Sequence, residues 1–402
     1  MEYSTCAIVG GGPAGTVLAL LLARQGIDVT LLEAHKDFDR SFRGDTLHPS
    51  IMEIMEELGL ADRLLAMAHS KVSQGVFETT ESSIKFVDLS LLKTKYPYIT
   101  ILPQVRFLET VVEEAKTYPN FKLIMGANVR ELVEENGEIL GVRYKGDGGW
   151  HEIRATLTVG ANGRCSHLRE KAGLQSVSTS PPMDVLWFSL PRIPSDDSWL
   201  EGLKGRIQRG HMAVIIDRKD TLQVGYIIFK GSYHRVRSEG IEALRNSIAD
   251  LVPELKDRVD CLQEWSQIAF LSVNSDRLTR WYRPGFLAIG DAAHTMSPVG
   301  GVGINYAIQD AVVAANILSP SLKAGRVWLP DLAQIQRQRE LPTRVIQAFQ
   351  VLIQKQIIAR ALDSNQSFKQ PPFFLRWPLL RDIPAKLIAF GVIPVHLEKA
   401  IG

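Results

Sequence analysis

Residues Cys6 to Glu33, CAIVGGGPAGTVLALLLARQGIDVTLLE, decide the fold. Cys6 to Val9 is short, apolar and partly branched, as a buried strand is. A glycine cluster follows, then an apolar-rich segment from Pro13 to Gln25 and a second branched run, Val29 to Leu32. The order reads as strand, turn, helix, strand. Gly10, Gly12 and Gly15 form GxGxxG after the strand and at the start of the helix, which is the context that gives the motif meaning. Gly10 permits the tight turn, Gly12 lets the backbone approach a pyrophosphate, and Gly15 allows the helix to pack closely on the strand. The free N–H groups of the helix start then face the negative charge. Glu33 ends the second strand about twenty residues on, where a carboxylate accepts from a ribose hydroxyl and disfavours a 2′-phosphate. Gly10, Gly12, Ala14, Gly15 and Glu33 are therefore the expected dinucleotide contacts.

Further along, Leu157 to Val159 and Phe286 to Ile289 are extended runs that each end in glycine plus an acid or amide, and both are assigned to the same sheet. Between them the texture changes. Val185 to Leu190, Met212 to Ile216 and Leu222 to Phe229 are separated by turn-rich, charged stretches and read as a mostly antiparallel sheet. Alternation puts Leu222, Val224, Tyr226 and Ile228 on one face and Gln223, Gly225, Ile227 and Phe229 on the other, without saying which face meets a ligand. A helix from about Gly240 to Leu251 stops at Pro253, and the chain returns to the first domain near Leu271. Helical periodicity resumes at Gln334 to Lys355, before a tail from Phe373 to Ile401.

Composition narrows the function. The 402 residues are 45% apolar and 22% charged, an ordinary globular balance with room for two or three packed units. Lys plus Arg number 46 against 44 Asp plus Glu, so no single-sign field exists to attract nucleic acid. Cys6, Cys165 and Cys261 form neither a CxxC pair nor a metal cluster and read as buried thiols in a reducing compartment. No signal-peptide pattern is expected at Met1 to Ser4, and no apolar run approaches the ~18 residues of a membrane span. A cytoplasmic address, as monomer or homodimer, is the expectation.

The segment Gly285 to Asp310, GFLAIGDAAHTMSPVGGVGINYAIQD, resembles the second FAD motif of the para-hydroxybenzoate hydroxylase family, the group A flavoprotein monooxygenases. The resemblance implies that Asp291, after Gly290, holds the ribityl chain, and that Pro298 and the glycines Gly300, Gly301 and Gly303 lie against the isoalloxazine ring. Glycine backbone can approach a planar ligand without side-chain interference, and the helix beginning at Gly303, Ile304 and Asn305 can stabilise negative charge there. Its apolar face is Ile304, Ala307, Ile308, Ala311, Val312 and Ala315. Val159 to Arg169 is similar to the family's Asp-Gly motif with Asn162 in place of the acid, and Arg164 and Arg169 there are candidate phosphate ligands. Gln104, Arg106 and Arg43 match positions where the family contacts the flavin or its pyrophosphate. His48 is a candidate proton-transfer group or a structural histidine or cap; His294 reads as structural. Trp187 and Tyr226 are candidate substrate contacts.

The implied fold class is α/β with an α+β insertion. Residues 1–72, 104–178 and 268–330 form a discontinuous, Rossmann-like FAD-binding domain, 73–103 and 179–267 a substrate-binding sheet, and 331–402 a C-terminal helical region. The implied activity is hydroxylation of an aromatic or polycyclic molecule by O2 through a flavin hydroperoxide, with NADPH or NADH as reductant and no metal. His48, Pro298, Gly300 and Gly301 then form the flavin edge where oxygen is activated. Rival readings are an isoprenoid-ring reductase, an epoxidase and a flavin-binding redox sensor without turnover. The tail, with Leu375, Trp377, Leu379, Leu380, Leu387, Ile388, Phe390 and Ile393, either packs on its own domain or a dimer mate or rests on a membrane interface.

Overall fold

The structure, a computed structural model, describes residues 2–39, 44–79, 82–164, 166–179, 181–208, 210–363 and 378–398. Among them, an eight-stranded sheet carries the order Tyr282–Arg283, Phe286–Ala288, Gly149–Gly160, Glu2–Val9, Val29–Glu33, Phe121–Met125. All neighbours in that order are parallel except the first pair. Cys6, Ala7, Ile8 and Val9 are all buried, because helices cover both faces of such a sheet and leave no polar side. Helix Pro13–Arg24 is buried without a break from Ala14 to Ala23, wedged against helices Gly303–Lys323 and Gln104–Ala115. The parallel register aligns Val9 with Gly160 and with Leu32, and Gly160 with Ala288. Three sequence-remote turns thus leave the sheet side by side at its carboxyl edge, where open α/β sheets bind ligands.

A seven-stranded sheet holds Ala269–Leu271, Met183–Pro191, Thr221–Phe229, His211–Asp217, Leu203–Gln208, Gln74–Glu78 and Ser83–Asp88 in that order. It is antiparallel except where Leu203–Gln208 runs beside Gln74–Glu78. Helix Ile241–Leu251 covers its outer face, burying Leu244, Ile248 and Leu251 on Leu186, Phe188, Leu222 and Val224. The inner face looks back toward the first domain. Helix Leu329–Ile353 passes through a π-helical stretch, Gln354–Ile358, and Ile358, Ala361 and Leu362 pack on that inner face.

Several segments differ from the sequence expectation. Leu157 to Val159 is only the end of a strand that starts at Gly149; polar residues such as exposed His151 and half-buried Glu152 hid the rest. It pairs with an antiparallel hairpin, Asn128–Glu135 and Glu138–Gly146, whose Asn136-Gly137 turn, both residues at positive φ, was a hairpin signal that the sequence reading did not use. The return to the first domain comes after Leu271, because Ala269–Leu271 still pairs with Met183–Pro191. Ser70–Val72, Ile99–Ile101 and Thr46–Leu47 form their own small sheet, so the assigned breaks at 72 and 103 divide one structural unit. Cys261 is exposed rather than buried, and Cys165 lies outside the described residues. In the tail, helix Pro378–Phe390 packs on Ser83–Asp88 and on helix Pro49–Glu57, with Ile388 and Phe390 in a cluster with Val87 and Leu89. Leu387, Ile388 and Phe390 of the apolar set proposed for a membrane are therefore taken by the chain's own domain, whereas Ile393 is exposed; Phe373, Leu375 and Trp377 lie outside the described residues. No described helix is long and apolar enough to cross a membrane.

Candidate active site

A cavity of about 550 Å³ runs from the Gly10–Gly12 turn to the inner face of the second sheet. At the nucleotide end, Gly10 has φ +111°, and a Cβ there would stand 2.4 Å from the carbonyl oxygen of Ala161. At Gly15 a Cβ would meet the Gly10 oxygen at 1.9 Å, so helix and strand touch through glycine alone. At Gly12 nothing lies within 4 Å. That space, together with the start of Pro13–Arg24 that no side chain caps, is what a pyrophosphate requires. Glu33 is buried and accepts from Gly11 N at 2.8 Å and His35 N at 2.9 Å, which fixes its carboxylate beside the turn. Residues present thus fit a dinucleotide. Asn162, Gly163, Arg164 and Gln104 complete this end.

Midway, Asp291, Pro298, Gly300, Gly301, Gly303 and Ile304 line the cavity. Gly300 and Gly301 have φ of +79° and +63°, the left-handed region that glycine tolerates, and their backbone can face a flat ligand. This loop is held from behind. Thr46 Oγ1 donates to Gly301 O at 2.9 Å, and Asn305 Nδ2 donates to the same oxygen at 3.2 Å while its Oδ1 accepts from His48 N. From helix Leu329–Ile353 and its continuation, Gln350 Nε2 donates to Ser297 O and Val299 O at 2.9 and 2.8 Å, Gln347 Nε2 to Asp276 O and Thr295 O, and Gln354 Nε2 to Ser297 Oγ. The Gly290 turn rests on Asp310, whose carboxylate accepts from Gly290 N, from Arg339 Nε at 2.8 Å and pairs with His294 Nε2 at 2.6 Å. Burial works to raise the Asp310 carboxyl, but the His294 imidazole and Arg339 guanidinium outweigh it and hold it below the usual carboxylate range.

A further tie joins the two domains. Asp45, on the cavity wall, accepts from Gln104 N and pairs with Arg218, which sits in the turn between His211–Asp217 and Thr221–Phe229. Burial pushes the Arg218 guanidinium down to about 10.

The far end is apolar. Its floor is Met183, Val185, Trp187, Val214, Gly225 and Ile227 from the sheet, and its walls include Phe349, Ile353, Ile357, Pro384 and Ile388 from the C-terminal helices.

The predicted site residues divide accordingly. Gly10, Gly12, Ala14, Glu33, Gln104, Asp291, Pro298, Gly300, Gly301, Gly303, Ile304 and Trp187 line the cavity. Gly15, Gly290 and Asn305 shape it from behind. Arg43 lies outside the described residues. Four expectations are corrected. His48 is fully buried and off the cavity, capping helix Pro49–Glu57, with Nδ1 hydrogen-bonded to Ile388 O at 2.6 Å; burial pushes it down to about 4, so it is neutral and not a proton-transfer group. Arg106 is exposed and pairs with Glu109. Arg169 is clamped by Asp276 through both terminal nitrogens, not available to phosphate. Tyr226 faces the opposite side of the sheet, bonded to His211 and Ser247.

Sequence reading missed the C-terminal wall and the polar stripe Gln336, Arg339, Thr343, Gln347, Gln350 and Gln354. All are buried. Their three-to-four spacing is a helical face made of polar residues, and that signal was present in the sequence.

A parallel sheet with a glycine turn, a buried acid beside it and a second glycine loop over an apolar chamber is the architecture of a flavin-nucleotide enzyme. The FAD binding domain family matches residues 2–347. The 6-methylpretetramide 4-monooxygenase of Streptomyces rimosus is 32% identical over 323 residues, 80% of this chain and 76% of that protein. Pentachlorophenol 4-monooxygenase of Sphingobium chlorophenolicum is 28% identical over 328 residues, 76% of this chain but only 56% of its own length. The crystal structure of P. aeruginosa PqsL in complex with 2-aminobenzoylacetate has a TM-score of 0.77 at 19% identity, covering 90% of this chain and 99% of that one, a likeness of fold. The chain belongs to the FAD-dependent aromatic hydroxylase family.

Proposed function

We propose that the protein is a monooxygenase that uses FAD, NADPH or NADH, and O2 to hydroxylate an aromatic or polycyclic small molecule. The observation that carries this reading is the continuity of one cavity from the Gly10–Gly12 turn, past Asp291 and the Pro298–Gly301 loop, to a chamber lined by the second sheet. Bound FAD supplies the redox chemistry that activates oxygen. The Gly10–Gly12 turn, Glu33 and Gln104 hold the nucleotide, and Asp291 is assigned to the ribityl hydroxyls. The backbone N–H groups of Gly303 and Ile304, at a helix start that no side chain caps, stabilise negative charge at the loop. Met183, Val185 and Ile227 exclude water beneath it. Asn162 donates or accepts as an amide where an acid is usual, so it adds no charge near an incoming pyridine nucleotide. The free thiols of Cys6 and Cys261 support a cytoplasmic site of action.

Anaerobic mixing of the yellow holoprotein with NADPH and with NADH tests the assignment. Bleaching by at least one, followed in air by a product one oxygen heavier than an aromatic substrate, is expected. A colour that persists with both reductants refutes it and leaves a flavin-binding protein without this turnover.

A further inference from the structure

The apolar chamber has a chemical character of its own. Among the described residues that line it, none is Lys, Arg, His, Asp or Glu; the charged lining residues, Glu33, His35, Asp45, Arg164 and Asp291, all belong to the nucleotide end or the loop. A carboxylate carried into this chamber would meet no counter-charge among the described lining residues, and burying an unpaired ion is strongly unfavourable.

Its floor is flat for a definable reason. Trp187 lies across the strands from Gly225, and a Cβ on that glycine would stand 2.8 Å from the indole. Phe77 lies opposite Gly205, where a Cβ would stand 2.0 Å from the ring, and Phe86 lies over Gly75 at 2.4 Å. Each ring therefore rests on bare backbone and turns a face to the chamber. Phe77 and Phe86 also stack, with centroids 4.6 Å apart. Flat aromatic faces favour offset stacking with a planar ligand.

Two polar side chains of the sheet, Gln223 and Gln74, interrupt this floor. Gln223 follows the same inward face of its strand as Gly225 and Ile227, is 4% exposed and lines the cavity. No described residue hydrogen-bonds its side-chain amide. Its amide opens onto the cavity, so a ligand that displaces water there must supply its hydrogen bond or leave it unsatisfied at a cost. Gln74, by contrast, is already bonded to Asp88.

Resting on the hydroxylase reading, we infer that the chamber takes an uncharged, planar, multi-ring aromatic molecule, stacked on Trp187, Phe77 and Phe86, with a phenolic hydroxyl or ring carbonyl bonded to the Gln223 amide. Gln223 is thus a specificity-determining residue. Its amide serves either group, because it both donates and accepts.

Calorimetric titration of the oxidised holoprotein tests this without turnover. The probes are chrysophanol, rhein and anthracene; the first two are dihydroxyanthraquinones that differ by methyl against carboxylate at one ring position. Wild type should bind chrysophanol at least about tenfold more tightly than rhein. Gln223→Leu should weaken chrysophanol about tenfold and leave anthracene unchanged, because only the former offers the amide a partner. Rhein binding as tightly as chrysophanol overturns the inference, and so does a Gln223→Leu protein that loses both ligands equally, which marks a merely structural role. Should that variant not fold, the wild-type order of ligands still decides. Bleaching by NADPH or NADH with rhein preferred sinks this inference alone; no bleaching with chrysophanol preferred sinks the hydroxylase reading alone.

Discussion

The two ends of the cavity are built from opposite materials. The nucleotide end is backbone and charge: glycines at Gly10, Gly12 and Gly15, an uncapped helix start, Glu33 and Arg164. The chamber end is side chain and, among the described residues, no charge: three rings laid on glycines, largely apolar walls and a few amides, Gln223 among them. Glycine serves both, in different ways. In the first it admits the ligand to the backbone; in the second it admits an aromatic ring of the protein itself. Recognition of a constant cofactor can be written in a local motif, whereas a chamber for a variable substrate is assembled from strands far apart in sequence.

That contrast can be broken most severely at Gly15. Gly15→Val places branched carbon where even a Cβ would be 1.9 Å from Gly10 O, so the helix must leave the strand. Protein that purifies without flavin colour and melts early is expected, and full FAD content in the variant would refute the close-packing argument.

Asp310 tests whether the second glycine loop depends on its buried support. Asp310→Ala leaves Arg339, 1% exposed, without its carboxylate, at a cost of about 3–5 kcal/mol in chemical denaturation. A loss under about 1 kcal/mol would mean that the network is not a support.

His48 offers a test by pH. Its folded value, about 4, lies below its ordinary 6.5, so the unfolded chain takes the proton first and stability falls as pH drops from about 6.5 toward 4. The loss from this group is on the order of 3 kcal/mol, and His48→Asn, whose amide can still donate to Ile388 O, should remove it from melting curves recorded across that range. Above pH 6.5 the group is neutral and no limb of the activity profile belongs to it.

Gln350→Leu strips donors from the carbonyls of Ser297 and Val299, for an expected loss of about 1–3 kcal/mol and weaker FAD retention on dilution. Unchanged retention would detach the polar stripe from the site. The smallest effect belongs to Tyr226→Phe. On the outer face it should cost about 1 kcal/mol and leave substrate KM unaltered; a raised KM would reverse the assignment of the sheet's faces.

Much of the nucleotide end was legible because its physics is local. A strand, three spaced glycines and an acid lie within Cys6 to Glu33, and spacing along the chain is spacing in the turn. The loop at Pro298 to Gly303 was readable for the same reason. His48 and Tyr226 misled because residue type suggests chemistry while burial and facing decide it. Alternation showed that Tyr226 and Gln223 sit on opposite faces, but only helix Ile241–Leu251, packed on one side, settled which face is the chamber. The glutamine stripe was visible as periodicity, yet its targets, the carbonyls of residues 295 to 299, are distant in sequence.

The sequence by itself determined that a glycine turn of dinucleotide-binding form would follow a parallel strand, since backbone freedom and helix polarity act within a few residues. Tertiary structure decided everything about the chamber. Register between strands chose which rings lie on which glycines, and the C-terminal helices closed a wall onto a sheet whose strands lie far earlier in the chain. Burial then decided charge: the same histidine is a base in water and a neutral wedge beneath Ile388.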